Sequence, residues 1–93
     1  MHETQTLTLP PEEEGEIEVE AACPAGKVLL GGAGNLISSQ RHPSFELVVY
    51  NGPKEVGGSL TNTWLADYAM YNASSSTSWT LKVSAVAYCA DAS

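Results

Sequence analysis

Hydrophobic and polar residues alternate with period two along most of this chain, the spacing that puts successive side chains on opposite faces of a β-strand. From Thr4 to Leu9, Thr alternates with Gln or Leu until Pro10-Pro11 ends the run, because proline has no N–H and holds its predecessor extended. A first strand is predicted to end there. After the turn-forming pair Glu14-Gly15, a second strand is predicted over Glu16 to Cys23, with Ile17, Val19, Ala21 and Cys23 on one face and Glu16, Glu18 and Glu20 on the other. Cys23 is therefore expected to point inward.

Cys23-Pro24-Ala25-Gly26 reads as a tight turn and Lys27 to Leu30 as a short buried strand. Gly31-Gly32-Ala33-Gly34 predicts a bulge or a close backbone approach, with Asn35-Leu36-Ile37 resuming the pairing before a polar loop, Ser38 to Ser44. Phe45 to Tyr50 reads as the next strand, closed by Asn51-Gly52-Pro53, and Gly57-Gly58 is a second turn signal. In the segment Leu60 to Asn72, Leu60, Trp64, Ala66, Tyr68 and Met70 fall on a buried face and Thr61, Thr63, Asp67 and Tyr71 on the opposite one. Ser74 to Thr77 connects to a last strand whose inner face carries Trp79, Leu81, Val83, Ala85, Ala87 and Cys89. Six or seven strands without helical periodicity predict an all-β fold, a small antiparallel β-sandwich or jelly roll.

The 93 residues, 43% of them hydrophobic, supply one modest core and so a single domain over 1–93, which excludes a large multidomain enzyme. Eleven acidic residues against four basic ones give a net charge of -7, so no nucleic-acid or anionic-membrane partner is expected. The charge is concentrated in an acidic segment at 1–20, which holds Glu3, Glu12, Glu13, Glu14, Glu16, Glu18 and Glu20 without a Lys or Arg. No apolar run approaches the roughly 18 to 20 residues of a membrane helix. Met1 to Gln5 lack the features of a signal peptide. That fits either a mature secreted domain with an added initiator Met or a chain made in a cytosol without its own export signal. Cys23 and Cys89 are too far apart for a CxxC pair and too few for a closed metal site. A disulfide is the expected use of two inward cysteines, and two unpaired buried thiols are the alternative.

The run Ala22-Cys23-Pro24-Ala25-Gly26-Lys27-Val28-Leu29-Leu30-Gly31-Gly32-Ala33-Gly34, together with Ala85-Val86-Ala87-Tyr88-Cys89-Ala90, resembles a small disulfide-linked β-domain with a CPAGK-type motif. Such domains occur in actinobacterial secreted proteins and in actinobacteriophage virion proteins. The similarity spans roughly residues 4 to 90, with Ala33 where the pattern often has a third Gly. It implies binding or virion structure and carries no catalytic residues to transfer.

Catalysis needs converging groups, and few are available. His2 is near a terminus and His42 lies in a polar loop, neither at metal-ligand spacing. Ser44, His42 and Asp67 form a triad only on paper, because no G-x-S-x-G elbow accompanies them. The glycines at 31, 32 and 34 are followed by neither Lys-Ser nor Lys-Thr and open no helix, so they do not form a phosphate loop. Glu12, Glu13, Glu14, Glu16, Glu18 and Glu20 could bind a cation, yet the calcium-loop pattern of alternating Asp and Asn with a central Gly is absent. No catalytic residue, cofactor or metal site is therefore expected.

The acidic strip instead reads as a solvated face, a dock for basic groups of a larger assembly, or a guard against edge-to-edge pairing. Trp64, Tyr68 and Trp79 belong to the core rather than to a sugar-stacking platform, whereas Tyr50, Tyr71 and Tyr88 are expected outside. Asn72-Ala73-Ser74 fits the glycosylation sequon, which matters only in a eukaryotic secretory route. The interface candidates are thus Glu16, Glu18, Glu20, Tyr50, Tyr71 and Tyr88. The function expected is that of a non-enzymatic phage virion protein, a capsid decoration or head-surface protein that binds capsid or other virion subunits and forms a homo-oligomer. The alternative is a secreted or cell-surface bacterial module that binds glycan or protein.

Overall fold

The computed structural model describes residues 1–38 and 44–91, and among these every regular element is a strand. The six strands are β1 (His2–Leu9), β2 (Glu14–Ala22), β3 (Lys27–Ser38), β4 (Ser44–Val56), β5 (Ser59–Asn72) and β6 (Trp79–Asp91). They form two three-stranded antiparallel sheets, ordered β1-β6-β3 and β2-β5-β4. The all-β sandwich expected from the alternation is the fold observed. β5 and β6 are the central strands and leave β1, β2, β3 and β4 as edges.

Period-two spacing explains the core directly. Leu9 on β1, Ile17, Val19 and Ala21 on β2, Ala66, Tyr68 and Met70 on β5, and the alternate residues Trp79 to Ala87 on β6 are buried between the sheets. The glycine-rich strand sets how closely the sheets approach. A Cβ at Gly32 would lie 2.3 Å from Trp64 Cδ2 and 2.5 Å from the Val86 carbonyl oxygen, and one at Gly34 would lie 2.9 Å from both Ala66 Cβ and Asn51 Oδ1. Both features expected of this run occur, since the register also shifts between Leu29 and Gly31.

The two sheets are tied at opposite ends. At one end Cys23, just after β2, is bridged to Cys89 of β6, with the Cα atoms 5.8 Å apart. At the other, the fully buried Asn72 donates from Nδ2 to the carbonyl oxygens of Leu9, Pro10 and Thr77 at 3.0, 3.1 and 2.9 Å. Its Oδ1 accepts from the Ser74 N–H at 3.0 Å. A single side chain thereby satisfies backbone groups from β1, the loop after it and the β5–β6 connection.

Several local expectations are corrected. The turn before β2 falls at Pro11-Glu12, with Glu12 at φ 59°, and Glu14-Gly15 already belong to the strand. β3 is one continuous strand through its glycines. Asn51-Gly52-Pro53 does not close β4, which runs on to Val56. There the Asn51 side chain accepts the Trp64 indole N–H at 2.8 Å, and Pro53 sits on an edge strand next to a register shift, where a missing N–H is tolerated. The turn is instead Gly57-Gly58, with φ of 59° and 83°, the two-residue geometry in which both positions favour glycine. Leu60, expected inside, is exposed where it pairs with Glu55 near the β4–β5 hairpin tip.

Candidate functional site

Alternation places Glu14, Glu16, Glu18 and Glu20 on the outer face of β2, where Glu18 pairs with Asp67 and Glu20 with Leu65 of β5. Glu20 has a counter-ion: Lys54, projecting from the register shift in β4, reaches across β5 so that its Nζ lies 2.6 Å from Oε1. The strip therefore does not act as one unit. The remaining part centres on Asp67, held in the middle of the sheet with Glu18 on one side and Tyr50 on the other. Carboxylate oxygens of Glu16, Glu18 and Asp67 all lie within 4.8 Å of one another.

Asp67 is an outward residue, as expected, yet only 6% exposed, and its Oδ1 has no hydrogen-bond partner. Burial, followed by hydrogen bonding to Glu16 and the charges of Glu16 and Glu18, pushes its carboxyl up to about 6 from an ordinary 3.8. Among the described residues no lysine offsets this charge. Lys54 serves Glu20, Lys27 pairs with Asp91, and Lys82 lies on the outer face of the other sheet, between Thr6 and Ile37. A depression of about 380 Å³ lined by Glu14, Gly15, Glu16, Ala69 and Met70 adjoins the group. Sequence reasoning collected Glu16 and Glu18 but missed Asp67 as their partner, because cross-strand register is not written in a single strand's alternation.

Tyr50 and Tyr71 are exposed on the same outer face as the acids, and Tyr88 is exposed on the outer face of the opposite sheet. One flat surface cannot use all six residues singled out from the sequence. Tyr68 and Trp79 are buried and Trp64 is half-buried against the core, so they provide no exposed stacking platform. His2 is exposed on β1, and His42 lies outside the described residues. Ser44 pairs with Asn72, five positions along β5 from Asp67 and so roughly 17 Å away, which separates those two members of the paper triad. The sequon asparagine is fully buried, with its amide nitrogen already donating, so it offers no glycan acceptor.

A feature the alternation did not predict lies on the β3–β4 flank, where Leu30, expected in a buried strand, is exposed instead. Leu30 and Ile37 on β3, and Leu47, Val48 and Val49 on β4, are exposed by 49 to 72%. Successive apolar residues at 47–49 break the alternation and make both faces of this edge apolar. That break was the available signal. Compared with protein-family models, with curated proteins and with solved structures, the chain matches none.

Proposed function

We propose that this protein is a non-catalytic structural subunit that binds neighbouring protein subunits through its β3–β4 flank, in the setting of a virion surface as a capsid decoration or head-surface protein. The observation that carries the reading is the unequal protection of the four sheet edges. β1 is polar and β2 bears a row of glutamates, a combination that discourages strand addition. β3 and β4, which lie side by side, present open edges with exposed Leu30, Ile37, Leu47, Val48 and Val49. Unpaired main-chain groups beside apolar side chains suit β-augmentation, in which backbone hydrogen bonds give affinity and alternate side chains give specificity.

The first neighbour such an edge takes is a second copy of the chain. β4 sets Lys54 beside Glu55 and has no run of like charge to oppose its own pairing. A subunit of this kind that contacts only an assembled lattice stabilises the assembled state by mass action. The disulfide favours a life in oxidising surroundings, which also supports the second reading, a secreted or cell-surface module that binds protein or glycan. Gradient fractionation of the native source, followed by mass spectrometry, separates the two. The virion reading expects the chain in the particle fraction and expects Leu47→Glu to reduce its share there, with Glu3→Gln behaving as wild type. Recovery only in the particle-free fraction contradicts it.

A further inference from the structure

We infer that Glu16, Glu18 and Asp67 form a binding site for a single divalent cation of the calcium class, which clamps β2 to β5 on the outer face of their sheet. This goes beyond the subunit-binding reading and does not rest on it. Three oxygens mutually within 4.8 Å can be reached by one ion, since calcium–oxygen bonds of about 2.3 to 2.6 Å allow ligands on opposite sides of the ion to lie that far apart. Glu16 and Glu18 alone would be an ordinary acidic patch. The further evidence is Asp67, a residue only 6% exposed, which stands opposite Glu18 in the register, brings a carboxylate oxygen within 4.8 Å of oxygens of both glutamates, and has a buried Oδ1 without a hydrogen-bond partner.

A buried acceptor of this kind is satisfied by a donor, a proton or a metal ion. Among the described residues the ion pairs formed by lysine are made elsewhere, to Glu20 and Asp91, and Lys82 is on the far sheet. Glu20, one step along the same face, shows the contrast: it has Lys54 and stands outside the trio. The donor set consists of hard carboxylate oxygens with no Cys or His, which selects against zinc and copper. Two of the three side chains are exposed and free to adjust, which suits calcium's tolerance of irregular geometry and water ligands better than magnesium's strict octahedron.

The test is titration of the disulfide-intact chain at pH 7.5 and constant ionic strength. Calcium binding is followed by calorimetry, and terbium luminescence is excited through the tyrosines, with Tyr50 directly opposite Asp67. The expected result is one ion per chain with submillimolar affinity, calcium displacing terbium, and a higher Tm with calcium than with an equal ionic strength of potassium chloride. Glu18→Gln and Asp67→Asn should each weaken binding at least tenfold, while Glu20→Gln and Glu3→Gln retain it. Glu18 is exposed, so its variant reports on binding even if the Asp67 variant folds poorly. No saturable binding up to 10 mM calcium, equal effects of potassium and calcium, or equal binding by Glu18→Gln overturns the inference. So does stabilisation by polylysine but not by calcium, which would assign the trio to a basic protein partner.

Discussion

Replacing Gly32 with Ala should be among the most damaging single-methyl changes available to this chain. The added carbon would lie 2.3 and 2.6 Å from Trp64 Cδ2 and Cε3 and 2.5 Å from the Val86 carbonyl oxygen, against the 3.4 to 4 Å of ordinary contact, so something must retreat by about 1 Å. Neither neighbour gives easily. The indole is anchored by its hydrogen bond to Asn51, and Val86 belongs to the central strand β6, paired on both sides. Overpacking typically costs 1–3 kcal/mol, and a clash with backbone puts this one at about 3 kcal/mol or more. For a domain of this size that lowers Tm by roughly 12 °C or more. Gly31→Ala is the internal control: a Cβ there meets nothing within 4 Å, so the change should be neutral or stabilise by about 0.4–1 kcal/mol through the unfolded chain. Urea unfolding followed by tryptophan fluorescence gives both values. Trp64→Leu in the Gly32→Ala background should recover part of the loss. Equal stabilities for the two alanine variants, or a Gly32→Ala loss below about 0.5 kcal/mol, would refute the close approach of the sheets.

Three other outcomes follow from the ties and charges of the fold. Replacing both Cys23 and Cys89 with Ser should cost about 4 kcal/mol on the chain-entropy account of a 66-residue separation, measured by the same urea titration. Asn72→Ala leaves the carbonyls of Leu9, Pro10 and Thr77 and the Ser74 N–H without their partner, and should cost about 2–4 kcal/mol, with fast amide exchange in the loops it held. Asp67, faced by Glu16 and Glu18 from β2 and by Tyr50 from β4, is raised to about 6 from 3.8 in the folded chain, so the folded state holds its proton more tightly than the unfolded one. Its contribution is fully present below about 4 and lost as pH rises through 6. In a chelator, Asp67→Asn should therefore match wild type at pH 4 and exceed it by about 1–3 kcal/mol at pH 7.5. A difference that does not change with pH would remove the argument.

The sequence made the inner faces legible because burial enforces alternation residue by residue: Ile17, Val19 and Ala21 on β2, and Trp79 to Ala87 on β6, are buried where their spacing puts them. The inward direction of both cysteines was likewise enough to anticipate their bridge. What the chain did not announce depends on distant partners. Asn51-Gly52 has turn chemistry, but the Trp64 indole captures the Asn51 side chain and the strand runs through. Asn72 reads as a surface sequon, and its burial follows only from the convergence of three carbonyls from separated segments. The acidic trio needs the β2–β5 register, and the open flank needs the knowledge that β3 and β4 are edges.

Amide hydrogen exchange of the intact chain, followed by mass spectrometry at rising protein concentration, tests most directly whether the β3–β4 flank is the surface by which this protein assembles. The expected result is slower exchange in β4, centred on residues 47–50, while β1 and β2 exchange as in the dilute sample. Unchanged exchange in β4 at concentrations where the chain associates, or new protection on the glutamate-lined edge instead, would contradict it.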